Sequence, residues 1–290
     1  MDEEGLRGRI IELYGRCDEL GDTVYSIHSG IGEVDLEGDL ELNRGHVEKF
    51  SSVSGIKVGG RRVLDVGCSA GDFAFALSER AAEVVGIEPS PELVEIASRK
   101  KEYFGKDNLS FVRCVGEKLP FPEGSFDVVA CKTVLEHVSD VGDCVKEMSR
   151  VLAGDGVLYV EAPNYLWIYE GHYRVFMVPF TPKWLFRLYA RLLGKDPDYI
   201  SHIKYITVHG VRRIMEDAGL RVENYSADRF RRILVEADES QVPGRLGFML
   251  PLLGVLRATG LSGILYRLIA ASGFHPTIIL AGAKKSRAGE

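Results

Sequence analysis

Apolar and polar positions alternate with two different periods along the central part of this chain. Short runs rich in valine, isoleucine and leucine predict buried strands, and apolar residues three and four positions apart predict helices. Strands that alternate with helices favour a parallel sheet covered on both faces, which is an α/β, doubly wound, Rossmann-like fold. The strands are expected near residues 62–67, 83–88, 109–115, 126–131 and 156–162, and the helices near 71–80, 91–104 and 140–152.

The first predicted strand turns sharply into a helix. Gly67 and Gly71 lie in this turn, where the absence of a Cβ permits a tight backbone and the close approach of a ligand. Asp65 precedes the glycines, and Glu88 ends the next strand about twenty residues later, where a ribose-binding carboxylate belongs in a nucleotide-binding fold. Because Ser69 replaces the second glycine of G-x-G-x-x-G, NAD is disfavoured, although an NAD-dependent oxidoreductase remains an alternative.

Four motifs follow one another along the chain: Asp65-Val-Gly-Cys-Ser-Ala-Gly71, Val85-Gly-Ile-Glu-Pro-Ser90, Gly116-Glu-Lys-Leu-Pro-Phe121, and Ser125-Phe-Asp-Val-Val129 with Val134-Leu-Glu-His-Val138. In this order they make the chain resemble the class I S-adenosylmethionine-dependent methyltransferases, of the small-molecule type with a Leu-Pro-Phe loop. The resemblance covers residues 50–163 and resumes with a helix near 208–218, a strand near 221–228 and a last strand at 277–284. It implies a seven-stranded sheet with the last strand antiparallel, and methyl transfer by in-line displacement.

The resemblance also implies which residues hold S-adenosylmethionine. Glu88 would accept hydrogen bonds from the ribose hydroxyls. Val115 and Gly116 stand where relatives usually have an acid and a small residue, so backbone groups would bind the adenine edge here. Glu117 has an alternative role as a helix or loop cap. The cofactor-binding candidates are Asp65, Gly67, Cys68, Ser69, Gly71, Glu88, Pro89, Val115, Gly116, Glu117 and Thr133.

Catalytic candidates are His137, His172 and Tyr173. Methyl transfer asks the protein mainly to hold the acceptor in line with the reactive bond, so a base is needed only for poorly ionised acceptors. An imidazole can take a proton near neutral pH, but Leu-Glu-His-Val begins a helix in this family whatever is methylated, so a structural role for His137 remains open. Histidines and acids show no ligand-like clustering, and we therefore expect no metal site.

The resemblance leaves three regions unexplained. Residues 1–50 are expected to form an N-terminal helical cap or lid, with a helix at Leu6–Tyr14 and glycine hinges in 25–32. Residues 51–290 form the methyltransferase domain, in which the aromatic insertion 164–207 is predicted to shape the substrate pocket, with an amphipathic helix near 183–193. The insertion 229–275 is strongly apolar, and its segment 246–271 either packs over the pocket or a dimer partner, or contacts a membrane.

Composition narrows the class of protein. The 290 residues carry a net charge of −6 with acids and bases intermixed, which argues against nucleic acid as a partner. The five cysteines show no paired spacing and follow no secretory leader, so we expect a cytoplasmic protein, in contact with membranes if 246–271 binds them. The acceptor is expected to be a small or lipid-linked molecule. An S-adenosylmethionine-binding scaffold without activity is the alternative from a different class.

Overall fold

The computed structural model describes residues 3–19, 35–238, 240 and 250–284. Its strands are β1 (Arg62–Val66), β2 (Glu83–Glu88), β3 (Leu109–Arg113), β4 (Phe126–Lys132), β5 (Leu152–Pro163), β6 (Tyr169–Glu170), β7 (Val175–Phe176), β8 (Leu220–Asn224) and β9 (Thr277–Lys284). Its α-helices are α1 (Glu3–Glu19), α2 (Leu36–Ser54), α3 (Asp72–Ser78), α4 (Pro91–Phe104), α5 (Val141–Val151), α6 (Lys183–Leu192), α7 (Val208–Asp217), α8 (Asp228–Leu234), α9 (Leu250–Ala258) and α10 (Leu261–Ser272).

Among the described residues, seven strands form one sheet in the order β3-β2-β1-β4-β5-β9-β8. β1 to β5 pair in parallel, and β9 is antiparallel to both β5 and β8. The predicted seven-stranded sheet with an antiparallel last strand is therefore confirmed. The register aligns Val66 with both Ile87 and Cys131, so the carboxyl ends of β1, β2 and β4 meet at one edge of the sheet.

The hydrophobic core lies on both faces of the sheet, as alternation along the strands requires. Leu64 and Val66 of β1 belong to a cluster completed by α5, α7 and the 164–207 insertion. Val63, which precedes Leu64 and therefore faces the other side of the sheet, belongs to a second cluster completed by α2 and α3. Asp65 alternates with Leu64 and Val66, so it shares the α2–α3 side of the sheet with Val63.

The N-terminal region differs from its prediction in two ways. The helix expected at Leu6–Tyr14 is longer, Glu3–Glu19, and packs through Leu6, Ile10 and Leu13 against α4. The domain boundary predicted at residue 50 falls inside α2, where Phe50 contacts Phe73 and Tyr159; the helix ends at Ser54, and Gly55 caps it in the left-handed conformation. The candidate lid, residues 25–32, lies outside the described residues.

Local turns explain why some elements are shorter than predicted. β8 ends at Asn224 because the Asn224 side chain accepts a hydrogen bond from the Ser226 N–H at 2.9 Å, which turns the chain. β3 ends at Arg113, and the Lys118 N–H then bonds the Val115 carbonyl in a turn. α3 begins at Asp72 because Gly71 has a φ of 88°, which no right-handed helix tolerates.

The two insertions add helices that expose apolar side chains. α6 confirms the predicted amphipathic helix, with Phe186 buried and Trp184 and Leu192 exposed. α9 and α10 pack on each other and on α8, yet exposed side chains remain on them, namely Leu252, Val255, Leu261, Ile264, Leu265 and Leu268. Among the described helices none is long and apolar enough to cross a membrane alone; α9 and α10 together would be, but they are bent by 104°.

Candidate active site

The loop between β1 and α3 adopts a conformation that glycine favours. Gly67 and Gly71 have φ angles of 70° and 88°, and Ser69 between them has 55°. A Cβ on Gly67 would lie 2.3 Å from Cγ2 of Val134, in the segment that follows β4. The absence of a side chain at Gly67 therefore lets the first loop and the loop after β4 approach closely.

Glu88 joins the glycine loop to the start of α4. Its side chain is buried, and its two oxygens accept hydrogen bonds from the Ser69 N–H at 3.2 Å and the Ser90 N–H at 3.1 Å. Ser90 also caps α4, as the sequence predicts. A carboxylate has about four acceptor sites, so Glu88 can hold both backbone groups and still accept hydrogen bonds from hydroxyls.

Asp65 lies at the same edge of the sheet, one residue before the end of β1, and its side chain is buried. Its Oδ2 has no hydrogen-bond partner among the described residues. The pKa of this carboxyl is raised to about 7: burial is the main cause, Lys132 partly opposes it, and the nearby Glu88 adds a smaller increase. A cation bound beside Asp65 would supply the missing partner and favour the ionised form.

The three cofactor-binding candidates in the third loop, between β3 and β4, have different surroundings. Val115 is exposed by 47%. Gly116 is close to α5, since a Cβ there would lie 2.7 Å from the Cys144 sulfur. Glu117 accepts hydrogen bonds from the N–H groups of Ser139 at 2.6 Å and Asp140 at 3.2 Å. This geometry matches the alternative role of Glu117 as a loop cap.

The segment after β4 is bent at Thr133, which has a φ of 55° and donates its hydroxyl to the Lys132 carbonyl. The Lys132 ammonium points toward α2, where it lies 3.2 Å from His46 Nδ1 and 5.5 Å from the centre of the Phe73 ring.

Two further cofactor-binding candidates lie in the loops after β1 and β2. Cys68 is buried and Pro89 is exposed, and the Pro89 carbonyl accepts a hydrogen bond from Arg113.

Acidic and imidazole groups form a cluster beyond this segment, which we call the acid–histidine cluster: Glu136, His137, His172 and Glu170. One donor atom each from Glu136, His137 and His172 lie within 4.8 Å of one another. His172 Nδ1 is 2.7 Å from Glu170 Oε1, and His137 Nε2 is 3.6 Å from Glu136 Oε1. The expectation that histidines and acids do not cluster is therefore wrong in this region.

Burial and charge set the ionisation of the cluster. Glu136 is fully buried, and this burial raises the pKa of its carboxyl to about 7. Burial lowers the pKa of His172, but the hydrogen bond and charge of Glu170 outweigh it, so the pKa is raised overall. The Tyr199 hydroxyl lies 3.3 Å from His137 Nε2.

Tyr173 does not bring its hydroxyl to this cluster. The hydroxyl donates to the Asp196 carbonyl at 2.7 Å, the ring packs against Phe186, and burial raises its pKa to about 12. The Tyr173 backbone N–H instead donates to Glu170 at 2.6 Å. Tyr173 therefore supports the cluster through its main chain, which corrects its prediction as a catalytic side chain.

Sequence reasoning missed Glu136, Glu170 and Tyr199 as site residues. The pattern that would have found the acids is an acid next to or two positions before a histidine, which occurs at both Glu136-His137 and Glu170-Gly-His172. A separate cavity of about 330 Å³ lies at the opposite ends of the strands. Its lining, which includes Arg61, Asp127 and Arg221, contains none of the predicted site residues.

Comparison with known proteins adds to this geometry. Residues 64–160 match the family model described as a methyltransferase domain. Over these residues the predicted resemblance to the class I S-adenosylmethionine-dependent methyltransferases is confirmed. The matched residues include β2 to β4, most of β1 and β5, and the strand ends that carry Asp65 and Glu88, so the match includes the edge of the sheet described above. The predicted cofactor class follows from the family.

Similar proteins include YcgJ of Bacillus subtilis, an uncharacterized methyltransferase that is 42% identical over 95 residues, or 33% of this chain and 38% of that protein. A crystal structure of YcgJ has the same fold, with a TM-score of 0.51, 20% identity, and coverage of 84% of this chain and 99% of that one.

Two other relatives have named activities. The ubiquinone biosynthesis O-methyltransferase of Bradyrhizobium diazoefficiens is 36% identical over 111 residues, 38% of this chain and 43% of that protein. The demethylmenaquinone methyltransferase of Thermus thermophilus is 39% identical over 102 residues, 34% of this chain and 46% of that protein. The matched part of this chain thus spans less than half the length of each of these three curated relatives.

The described residues fit the cofactor of a methyltransferase domain. S-adenosylmethionine carries an ammonium and a sulfonium, and the buried Asp65 has an oxygen without a partner at this edge of the sheet. The cofactor also carries two ribose hydroxyls, and Glu88 ends β2 beside the same loop. An unpaired buried carboxylate is costly alone, so a cationic ligand is what this arrangement favours.

Proposed function

We propose that this chain transfers a methyl group from S-adenosylmethionine to an amphiphilic small-molecule or lipid-linked acceptor. The observation that carries the proposal is the juxtaposition of Asp65, with its unpaired buried oxygen, and Glu88 at the adjacent ends of β1 and β2. When bound, the cofactor supplies a methyl group on a sulfonium, which is a good leaving group. The chain's own task is to bind and orient both molecules.

Each loop has a separate part in that task. Asp65 binds the ammonium of the methionine moiety, and the backbone of Gly67 to Gly71 lies beside it. Glu88 accepts the ribose hydroxyls, while Val115 packs on the adenine and the backbone of Val115 and Gly116 bonds its edge. Glu117 holds the third loop in place by capping residues 139 and 140.

The acceptor side is formed by the segment after β4 and the insertion 164–207. Glu136 and His137 come from the first, and Glu170 and His172 from the second, so the acid–histidine cluster joins the two. Two relatives with named activities are quinone-pathway methyltransferases. Their names, together with the apolar α9 and α10, favour an acceptor that has a polar head and an apolar body.

The apolar face of α9 and α10 is where the chain would meet a membrane that contains such an acceptor. Residues 250–276 hold two arginines, Arg257 and Arg267, and no acidic residue. The exposed leucine, valine and isoleucine side chains would enter the lipid boundary while the exposed Arg267 attracts anionic headgroups. Charge and exposure together therefore favour an anionic bilayer as the occupant of this face.

A vesicle experiment tests this face. We expect the full chain to sediment with phosphatidylglycerol vesicles, and the variant Ile264→Glu with Leu268→Glu to bind them at least about tenfold more weakly, because two exposed apolar side chains become charged. Leu42→Glu on α2 is the matched control, since Leu42 is exposed by 61% and Leu268 by 62%. Equal sedimentation of the double variant and the wild type would remove the membrane from the proposal.

The activity itself is tested by product formation. The full chain is incubated with S-adenosylmethionine labelled in its methyl group and with a panel of detergent-solubilised phenols and hydroquinones, with and without isoprenoid tails. Formation of S-adenosylhomocysteine together with a labelled acceptor supports the proposal. Micromolar binding of the cofactor with no turnover on any acceptor would favour the scaffold alternative, and binding of NAD instead would favour an oxidoreductase.

The raised pKa of Asp65 predicts how cofactor binding depends on pH. Because the pKa is about 7 without ligand and the cofactor's cation requires the ionised form, affinity should rise by about twentyfold from pH 5.5 to pH 7.5. In the protein without cofactor, the free energy of unfolding should fall as the pH rises from about 4 to about 7. The reason is that the Asp65 carboxyl loses its proton at a lower pH in the unfolded state than in the folded state. Calorimetric titration across this range checks the first effect.

Asp65→Asn is the control for this prediction. The variant should bind the cofactor more weakly at pH 7.5 and lose the pH dependence between pH 5.5 and pH 7.5, because no proton is released at this position. The same slope in Asp65→Asn and in the wild type would assign the titration to another group.

A further inference from the structure

We propose that Glu136, His137 and His172 bind one divalent transition-metal ion at the acceptor end of the site. The three side chains come from the segment after β4 and from the insertion 164–207, so an ion would tie the two together. Among the described residues this is the group whose donor atoms are close enough to share an ion.

The spacing of the donors suits one ion. Zinc-like ions bind nitrogen and oxygen donors at about 2.1 Å, so two donors on the same ion lie at most about 4.2 Å apart. The three donor atoms already lie within 4.8 Å of one another, and the Glu136 to His137 distance is 3.6 Å. Movements of less than about 1 Å, within the reach of side-chain rotation, complete the site.

Hydrogen bonds behind His172 would orient its ring toward the ion. Its Nδ1 is bound to Glu170 Oε1 at 2.7 Å, which leaves Nε2 as the ligand atom. Glu170 is held in turn by the Tyr173 N–H at 2.6 Å and the Tyr165 hydroxyl at 3.3 Å. A carboxylate behind a histidine, itself fixed by further hydrogen bonds, is the usual arrangement around a bound metal.

Charge supports the same conclusion. Glu136 and Glu170 are 0% and 3% exposed, and within the described ranges neither forms an ion pair with lysine or arginine. Both oxygens of Glu136 also lack a hydrogen-bond partner there. A buried carboxylate without hydrogen bonds is costly, and an ion bound to Glu136 would supply the missing partner.

The donor set selects the class of ion. Two imidazoles and one carboxylate favour Zn²⁺, Fe²⁺, Co²⁺ or Mn²⁺ over Mg²⁺ and Ca²⁺, which prefer oxygen ligands. Three protein ligands leave at least one coordination position for another molecule. If the proposed methyltransferase function holds, that position faces the acceptor.

The ion would then select oxygen acceptors. An acceptor hydroxyl bound to the ion is more acidic and loses its proton to solvent. Its oxygen forms the new bond to the methyl carbon as the carbon–sulfur bond breaks, and the electron pair of that bond stays on sulfur. The product is a methyl ether and S-adenosylhomocysteine, which balances atoms and charge.

Metal binding is tested on the full chain without any acceptor. The protein is stripped with a chelator, dialysed against Zn²⁺ or Co²⁺, and analysed for bound metal; the Co²⁺ form is also examined by visible absorption. We expect one ion per chain and a visible absorption spectrum of a nitrogen- and oxygen-ligated Co²⁺. Glu136→Gln and His172→Gln should each weaken binding by at least tenfold, and Glu170→Gln by about tenfold, because it orients a ligand.

His202→Gln is the matched control, because His202 belongs to the same insertion but is exposed and lies outside the cluster. Less than one ion per wild-type chain would overturn the proposal, as would equal retention by His172→Gln, His137→Gln and the control. Calorimetry with S-adenosylmethionine on the same preparations separates the two proposals. Binding of the cofactor without binding of metal would contradict the metal site alone, and binding of metal without binding of the cofactor would contradict the proposed function alone.

Discussion

Replacing Glu88 with alanine is expected to lower the affinity for S-adenosylmethionine by at least about a hundredfold. The variant loses the acceptor proposed for both ribose hydroxyls, and hydrogen bonds to a charged group contribute about 1.5–3 kcal/mol each. It also removes the acceptor of the Ser69 and Ser90 N–H groups, which fix the glycine loop and the start of α4. Calorimetric titration of the purified variant at pH 7.5 measures the effect.

Two variants separate binding from folding. Glu83→Ala is the matched control, since Glu83 begins the same strand but is exposed and pairs with Arg62 at 3.0 Å. Glu88→Gln keeps the volume of the side chain and one acceptor oxygen, so it should retain the fold and still lose most of the affinity. Binding by Glu88→Ala within threefold of the wild type would contradict the role proposed for Glu88.

The position of Glu88 was predictable because its determinants are local. A run of β-prone residues ends at the acid, and Pro89 and Ser90 then stop the strand and cap α4. The alternation that buries Val63 and Leu64 on opposite faces is equally visible in the sequence. Strand order followed from the family resemblance, since pairing between distant strands is not written in either segment alone.

The acid–histidine cluster was not predictable for the converse reason. Glu136-His137 and Glu170-Gly-His172 meet only because the insertion 164–207 folds back on the sheet, with Tyr199 and Phe186 buried in the same core. No periodic pattern in the insertion predicts that approach. The sequence predicts Tyr173 as a catalytic candidate, whereas in the fold its hydroxyl donates a hydrogen bond to the Asp196 carbonyl.

The direction of the Lys132 side chain is a second feature that the sequence alone does not specify. Because a lysine ammonium and a sulfonium are both cations, the residue type predicts that the Lys132 ammonium points away from the sulfonium or binds an anionic substrate. The contacts to His46 and Phe73 place it toward α2. That direction depends on how α2 packs across the sheet, and the pattern of α2 alone does not specify the partner strand.

Gly67→Ala is expected to destabilise the protein by roughly 2–5 kcal/mol, through two separate costs. The first is the φ of 70°, which a residue with a Cβ adopts at about 1–2 kcal/mol. The second is the contact at 2.3 Å with Val134 Cγ2, an overpacked contact that typically costs about 1–3 kcal/mol. Urea unfolding of the variant and the wild type measures the difference in the free energy of unfolding.

Gly60 allows the two costs to be separated. Its φ is also 70°, but a Cβ there would meet nothing within 4 Å, so Gly60→Ala should show the backbone cost alone. The excess in Gly67→Ala then measures the contact with Val134, and the double variant Gly67→Ala with Val134→Ala should lose that excess while keeping the backbone cost. Equal destabilisation by Gly60→Ala and Gly67→Ala would mean that Val134 moves aside freely. In that case the glycine loop and the segment leading to Glu136 and His137 are not held together at this contact, and cofactor and acceptor sites would be positioned independently.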